Sequence, residues 1–118
     1  GVIDMMTDGT EAREFLYAED CCEALETVMG NYDRLTSDDE LHITTGNSTT
    51  ILEIAQNIQK LFSNIGKEVV IKPAKSKDEV QKDARNKPDL TIRKYWKPKT
   101  SVKEGLKKIF EVMMNDWI

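Results

Sequence analysis

The chain of 118 residues is short of most residues that mark specialised chemistry. It has two cysteines, and they are neighbours, Cys21 and Cys22. Adjacent cysteines rarely bridge each other, and two sulfurs do not complete a zinc site. They are expected to be reduced residues on the first turn of a helix, in a reducing, cytoplasmic setting. There is one histidine, His42, and no serine or cysteine in a recognisable nucleophile elbow, so no nucleophile is assigned. The glycines at 1, 9, 30, 46, 66 and 105 never take the spacing of a dinucleotide-binding turn. No apolar run approaches the roughly 20 residues of a membrane span. Asp4, Asp8 and Glu11 argue against a signal peptide at residues 1–20. Basic excess is lacking too. The net charge is -4 and the pI near 5.1, which disfavours a duplex nucleic-acid binder.

What remains is a soluble-type composition, 39% hydrophobic and 32% charged, in a length that suits one domain spanning residues 1–118. The pattern predicts strands at Gly1–Met6, Phe15–Tyr17, Leu41–Thr45 and Glu68–Lys72. Asp20, with Glu23 three residues on, is placed to cap a helix whose apolar stripe is Cys21, Ala24, Leu25, Val28 and Met29. Gly30-Asn31 ends it. Thr50 and Glu53 have capping-box spacing at the head of a second helix, Ile51 to about Asn64. Its wide buried face is expected to be Ile51, Ile54, Ala55, Ile58, Leu61, Phe62 and Ile65, and Gly66 stops it. Residues 74–89 are lysine-rich, mixed in charge and poor in apolar groups. A short helical turn is expected from Asp89 to Lys94. Ser101 and Glu104 open a terminal helix with Val102, Leu106, Ile109, Phe110, Met113 and Trp117 on one face. Three apolar helix stripes against few short strands read as part of an α/β protein, α+β as an isolated piece.

Arg13 stands out. It lies between the Asp8-Gly9 turn and a short apolar segment, held by ordered backbone on both sides. A planar, permanently charged guanidinium there suits a phosphate or carboxylate. The bland alternative is a surface ion pair with Glu11 or Glu14. His42 is expected to be structural. Tyr95 and Lys99 are four apart, but Pro98 forbids the helix that would stack them, so they are not read as a catalytic pair. A turn at Trp96–Pro98 packing under the last helix is expected instead. Asp38, Asp39 and Glu40 lack the spacing of a calcium loop.

Three ordered groups of residues carry a resemblance. Gly9, Arg13, Glu14, Phe15, Tyr17, Asp20 and Ala24 form the first, with Ala18 where valine is usual. Gly46, Thr50, Ile51, Glu53, Ile54 and Ala55 form the second. Arg85, Pro88, Asp89, Trp96, Pro98, Gly105 and Leu106 form the third. Together they span nearly the whole chain, which resembles the C-terminal portion of the extended short-chain dehydrogenase/reductase family, the NAD(P)-dependent nucleotide-sugar epimerases, dehydratases and decarboxylases. The resemblance implies the C-terminal lobe of a Rossmann-type enzyme whose N-terminal cofactor domain is missing here. It implies a nucleoside-diphosphate-sugar partner whose diphosphate is clamped by Arg13 and Arg85, with Lys87 as the alternative second cation. It implies NAD(P) for the complete enzyme, with no cofactor bound and no catalysis performed by this chain alone. Loss of the cofactor domain would leave Leu25, Val28 or Met29 exposed and favour self-association. A stand-alone nucleotide-binding or protein-interaction module is the alternative.

Overall fold

The structure is a computed structural model and describes residues 1–78 and 87–116. Its elements in chain order are strand β1 (Val2–Asp4), strand β2 (Ala12–Arg13), helix α1 (Ala18–Gly30), a 3-10 turn (Tyr32–Arg34), strand β3 (Thr49–Thr50), helix α2 (Ile51–Ser63), strand β4 (Val70–Lys72), a second 3-10 turn (Thr91–Lys94) and helix α3 (Val102–Asp116). The architecture is α+β, with three helices and short strands. The strands form two separate pairs. β1 runs parallel to β4, with Ile3 opposite Ile71, and β2 runs antiparallel to β3, with Arg13 opposite Thr49.

Helix α2 forms where its capping box foretells. The Thr50 hydroxyl accepts the Glu53 N–H at 3.1 Å, and the Glu53 carboxylate accepts the Thr50 N–H at 2.9 Å. Two donors left without intrahelical partners are thereby satisfied. Gly9 and Glu11 supply two more acceptors, their carbonyls taking the N–H groups of Leu52 and Ile51 at 3.0 and 3.1 Å. That approach requires glycine at position 9. Its φ is +78°, and an added Cβ would lie 2.9 Å from the Leu52 Cβ. The helix ends at Ser63, and Gly66, at φ +75°, reverses the chain. Ile65 falls beyond the helix and is exposed, so it is not part of the buried face.

The remaining expectations need correction in places. Phe15–Tyr17 and Leu41–Thr45 are irregular rather than strands. Asp20 does not cap α1, which begins at Ala18 without a side-chain cap. Its buried carboxylate instead accepts the backbone N–H groups of Lys99 and Thr100, tying α1 to the entry of α3. On α3 the half-buried side is Val102, Leu106, Phe110 and Met114, while Ile109 and Met113 are exposed. Phe110 meets Phe62 of α2 edge-on, with ring centroids 5.1 Å apart. The Ser101 hydroxyl accepts the Glu104 N–H at 3.1 Å. Trp117 lies outside the described residues. Trp96 packs with Ala24 of α1 and Ile92, not under α3. Tyr17 sits against α3, its ring 3.2 Å from where a Cβ at Gly105 would lie. Cys21 and Cys22 are free thiols on α1, half-buried and exposed.

The core is thin. Ala24, Ile92 and Trp96 are buried together, flanked by Leu16, Val28, Leu41 and Ile43, and elsewhere Ala55 and Val69 are buried. The accessible surface is 8746 Å². Much apolar surface stands in it: Met29 is 75% and Leu25 50% exposed on α1, as expected for two of that stripe's residues, whereas Val28 packs on the core. No described helix is long and apolar enough to cross a membrane.

Candidate functional site

Arg13 takes its position from backbone on one side and side chains on the other. β2 carries it, and the pairing with Thr49 sets it beside the capped start of α2. The next residue fixes the far side. The Glu14 carboxylate accepts the Thr45 N–H at 2.6 Å and the Thr44 hydroxyl. Thr44 is buried. Its hydroxyl also accepts the Gly46 N–H at 3.0 Å, and its carbonyl accepts Arg93 Nη2 at 2.8 Å.

The guanidinium of Arg13 meets neither Glu11 nor Glu14, the two partners the sequence suggests. Its Nη2 donates to Asp78 Oδ2 at 2.6 Å, with the side chains 35% and 19% exposed. Nη1 is buried and has no hydrogen-bond partner among the described residues. Glu11 is buried, with one oxygen on the Thr7 hydroxyl at 2.5 Å and the other without a partner among the described residues. Asp78 reaches Arg13 because the stretch ahead of it is fastened down. Ala74 N–H donates to the Thr7 carbonyl at 3.0 Å, Asp8 N–H to the Ser76 carbonyl at 2.8 Å, and the Ser76 hydroxyl to the Met6 carbonyl at 2.9 Å. Lys77 lies 3.9 Å from Asp8. The Asp8 carboxyl is held below its ordinary 3.8 by the Thr10 hydroxyl, then by the Thr10 N–H, with Lys77 adding a smaller pull.

Of the other two candidate cations, Arg85 lies outside the described residues. Lys87 is exposed, and no hydrogen bond or ion pair links it to Arg13 among the described residues. It enters the segment that docks on His42: the Asp89 N–H donates to His42 Nδ1 at 3.0 Å, so the neutral ring carries its proton on Nε2, which faces Glu40 at 2.8 Å. Both ring nitrogens are engaged, in keeping with a structural histidine.

Arg93 is the residue that sequence reasoning passed over. It sits in the second 3-10 turn, half-buried, with its guanidinium 5.6 Å from the Trp96 ring and its Nη2 on Thr44. Its other terminal nitrogen, Nη1, is buried without a partner among the described residues. Gly46 has φ +74°, and an added Cβ would lie 3.3 Å from Leu90 Cδ2, so the glycine lets this turn close against the residue that opens the 3-10 turn of Arg93. Chemically, Arg93 braces the Thr44–Gly46 turn, and that turn braces Glu14 beside Arg13. The signal in the sequence is faint: an arginine three residues ahead of a tryptophan.

The described residues contain no group of His, Cys, Asp and Glu suited to a metal ion. Nor do the described residues form the glycine-rich strand-to-helix turn that cradles a dinucleotide. The positive-φ glycines 9, 46 and 66 each close an isolated turn. No step through such a group is assigned to this chain.

No protein-family model matches the chain. It is 29% identical over 126 residues to a GDP-L-fucose synthase from Sinorhizobium fredii, covering 98% of this chain and 35% of that protein. Among solved structures it resembles a GDP-6-OMe-4-keto-L-xylo-heptose reductase from Campylobacter jejuni, with TM-score 0.76 at 21% identity, over 98% of this chain and 34% of that one. A GDP-mannoheptose C4 reductase from the same organism, solved with NADP bound, gives TM-score 0.67 at 22% identity over 93% and 34%. The chain spans about a third of the length of the proteins it matches. The chain is thus similar in sequence and fold to the C-terminal part of these nucleotide-sugar enzymes, which are of the extended short-chain dehydrogenase/reductase type.

Proposed function

We propose that residues 1–118 form the substrate-binding portion of an NAD(P)-dependent nucleotide-sugar enzyme, in which Arg13 grips the diphosphate of a nucleoside-diphosphate sugar. The observation that carries this reading is the guanidinium of Arg13 itself. It is set rigidly beside the start of α2 and already holds an oxyanion, the Asp78 carboxylate, at 2.6 Å. A diphosphate offers the same charge-assisted hydrogen bond, worth about 1.5–3 kcal/mol. Arg85, or Lys87 in its place, supplies the second cation across the bridge. The exposed apolar side chains of Leu25 and Met29 on α1 support a chain that works against a neighbouring cofactor-binding domain. NAD(P) and the catalytic acid and base belong to that domain, and this portion alone catalyses nothing. The family's reaction, oxidation of a sugar hydroxyl with later return of the hydride, is assigned to the complete enzyme.

Isothermal titration of the chain with GDP-L-fucose and UDP-glucose tests the reading. Binding that weakens about 10- to 100-fold in Arg13→Ala supports it. Equal binding by the wild type and Arg13→Ala removes the assignment.

A further inference from the structure

Resting on the clamp reading, we propose that Asp78 is an internal competitor that occupies the anion position on Arg13, so that phosphate binding is an exchange of carboxylate for phosphate. The contact is short, 2.6 Å between Arg13 Nη2 and Asp78 Oδ2, and it joins an arginine on β2 to a residue of the loop that follows β4. Nothing in the local backbone obliges the pair to form. It forms because residues 74–76 are strapped onto residues 6–8 by three hydrogen bonds, which bring the chain's next carboxylate to the guanidinium. The strap is mostly exposed, so it can shift at Asp78 without opening the core.

A phosphate oxygen on Nη2 would stand within hydrogen-bond reach of the nitrogen that Asp78 already holds. Two anions at that separation repel strongly where water is partly excluded. The carboxylate therefore has to leave for phosphate to enter. Asp78 thus lowers the affinity of the site for any phosphate ester, and it keeps Arg13 paired when ligand is absent. It also discriminates by charge. A ligand carrying a diphosphate competes for Arg13, and a neutral nucleoside does not.

The experiment is calorimetry on the 118-residue chain with GDP and with guanosine, for the wild type, Asp78→Asn, Arg13→Ala and the double variant. Asp78→Asn is expected to bind GDP about three- to tenfold more tightly at low salt and guanosine unchanged. In the double variant the gain should vanish. In the wild type the carboxyl carbon of Asp78 should shift in NMR spectra as GDP is added, a readout that does not depend on any variant folding. GDP affinity in Asp78→Asn that is equal or weaker, with Arg13→Ala still defective, overturns the exchange while leaving the clamp. An unmoved Asp78 carbon under saturating GDP overturns it as well. Arg13→Ala that binds GDP as the wild type does overturns the clamp and the exchange together.

Discussion

The carboxylate of Asp20 accepts the backbone N–H of Thr100 at 2.9 Å, and that of Lys99 at 3.1 Å, while being only 4% exposed. One buried anion thus fastens α1 to the start of α3. Removing it leaves two N–H groups short of their acceptor. Asp20→Ala is expected to destabilise the fold by about 2–4 kcal/mol, and Asp20→Asn, which keeps an acceptor oxygen, by less. Urea unfolding followed by circular dichroism measures both. Equal losses in the two variants would show that the charge, not the acceptor geometry, holds the junction.

Gly9 is irreplaceable on two counts, its φ of +78° and its contact with Leu52. Gly9→Ala combines left-handed strain with a clash against the first turn of α2, at a cost of about 2–4 kcal/mol. The thermal midpoint should fall sharply. Because the Gly9 carbonyl also caps Leu52, amide exchange at Leu52 should accelerate more than at residues near the end of α2.

The Asp89 carboxyl titrates below its ordinary 3.8 because the Thr91 hydroxyl, then the Thr91 N–H, bond to its charged form, with His42 and Lys94 adding weaker attraction. A carboxyl depressed on folding stabilises the folded state above its unfolded value and loses that contribution as pH falls through its folded value. This part of the stability is therefore complete at neutral pH and fades only below about pH 4. Carbon-detected NMR titration should show the Asp89 value rising in Thr91→Val. A value that stays put would mean the backbone N–H alone sets it.

Leu25, Met29 and Tyr32 expose apolar surface on and just after α1. Apolar area of that kind drives association when no neighbouring domain covers it. Sedimentation velocity should show concentration-dependent self-association of the chain, reduced in a Leu25→Glu, Met29→Glu variant whose circular dichroism is unchanged. A monomer at all concentrations would remove this expectation.

Much of the helical frame was legible in the residues. Thr50 and Glu53 announce the start of α2 because a capping box is a local device whose partners lie three residues apart. Gly66 announces its end for the same local reason. The strands were harder. β2 and β3 have two residues each, too few for any alternation to register. Asp20 was misread as a cap because its true partners are backbone N–H groups far along the chain, and a backbone N–H leaves no mark on a sequence. Ile109 and Met113 were misplaced because a helical stripe fixes a period but not which edge of the stripe meets its neighbour.

The sequence by itself determined the three helices, the candidacy of Arg13 and the absence of a dinucleotide-binding turn, since each rests on residue type and short-range spacing. Only the tertiary structure decided that Asp78 is the partner of Arg13, that Arg93 braces the Thr44–Gly46 turn, and that Asp20 joins α1 to α3. Those pairings close over long stretches of chain. Which carboxylate reaches which guanidinium depends on how the intervening elements pack, and charge alone does not choose among the chain's 21 acidic residues.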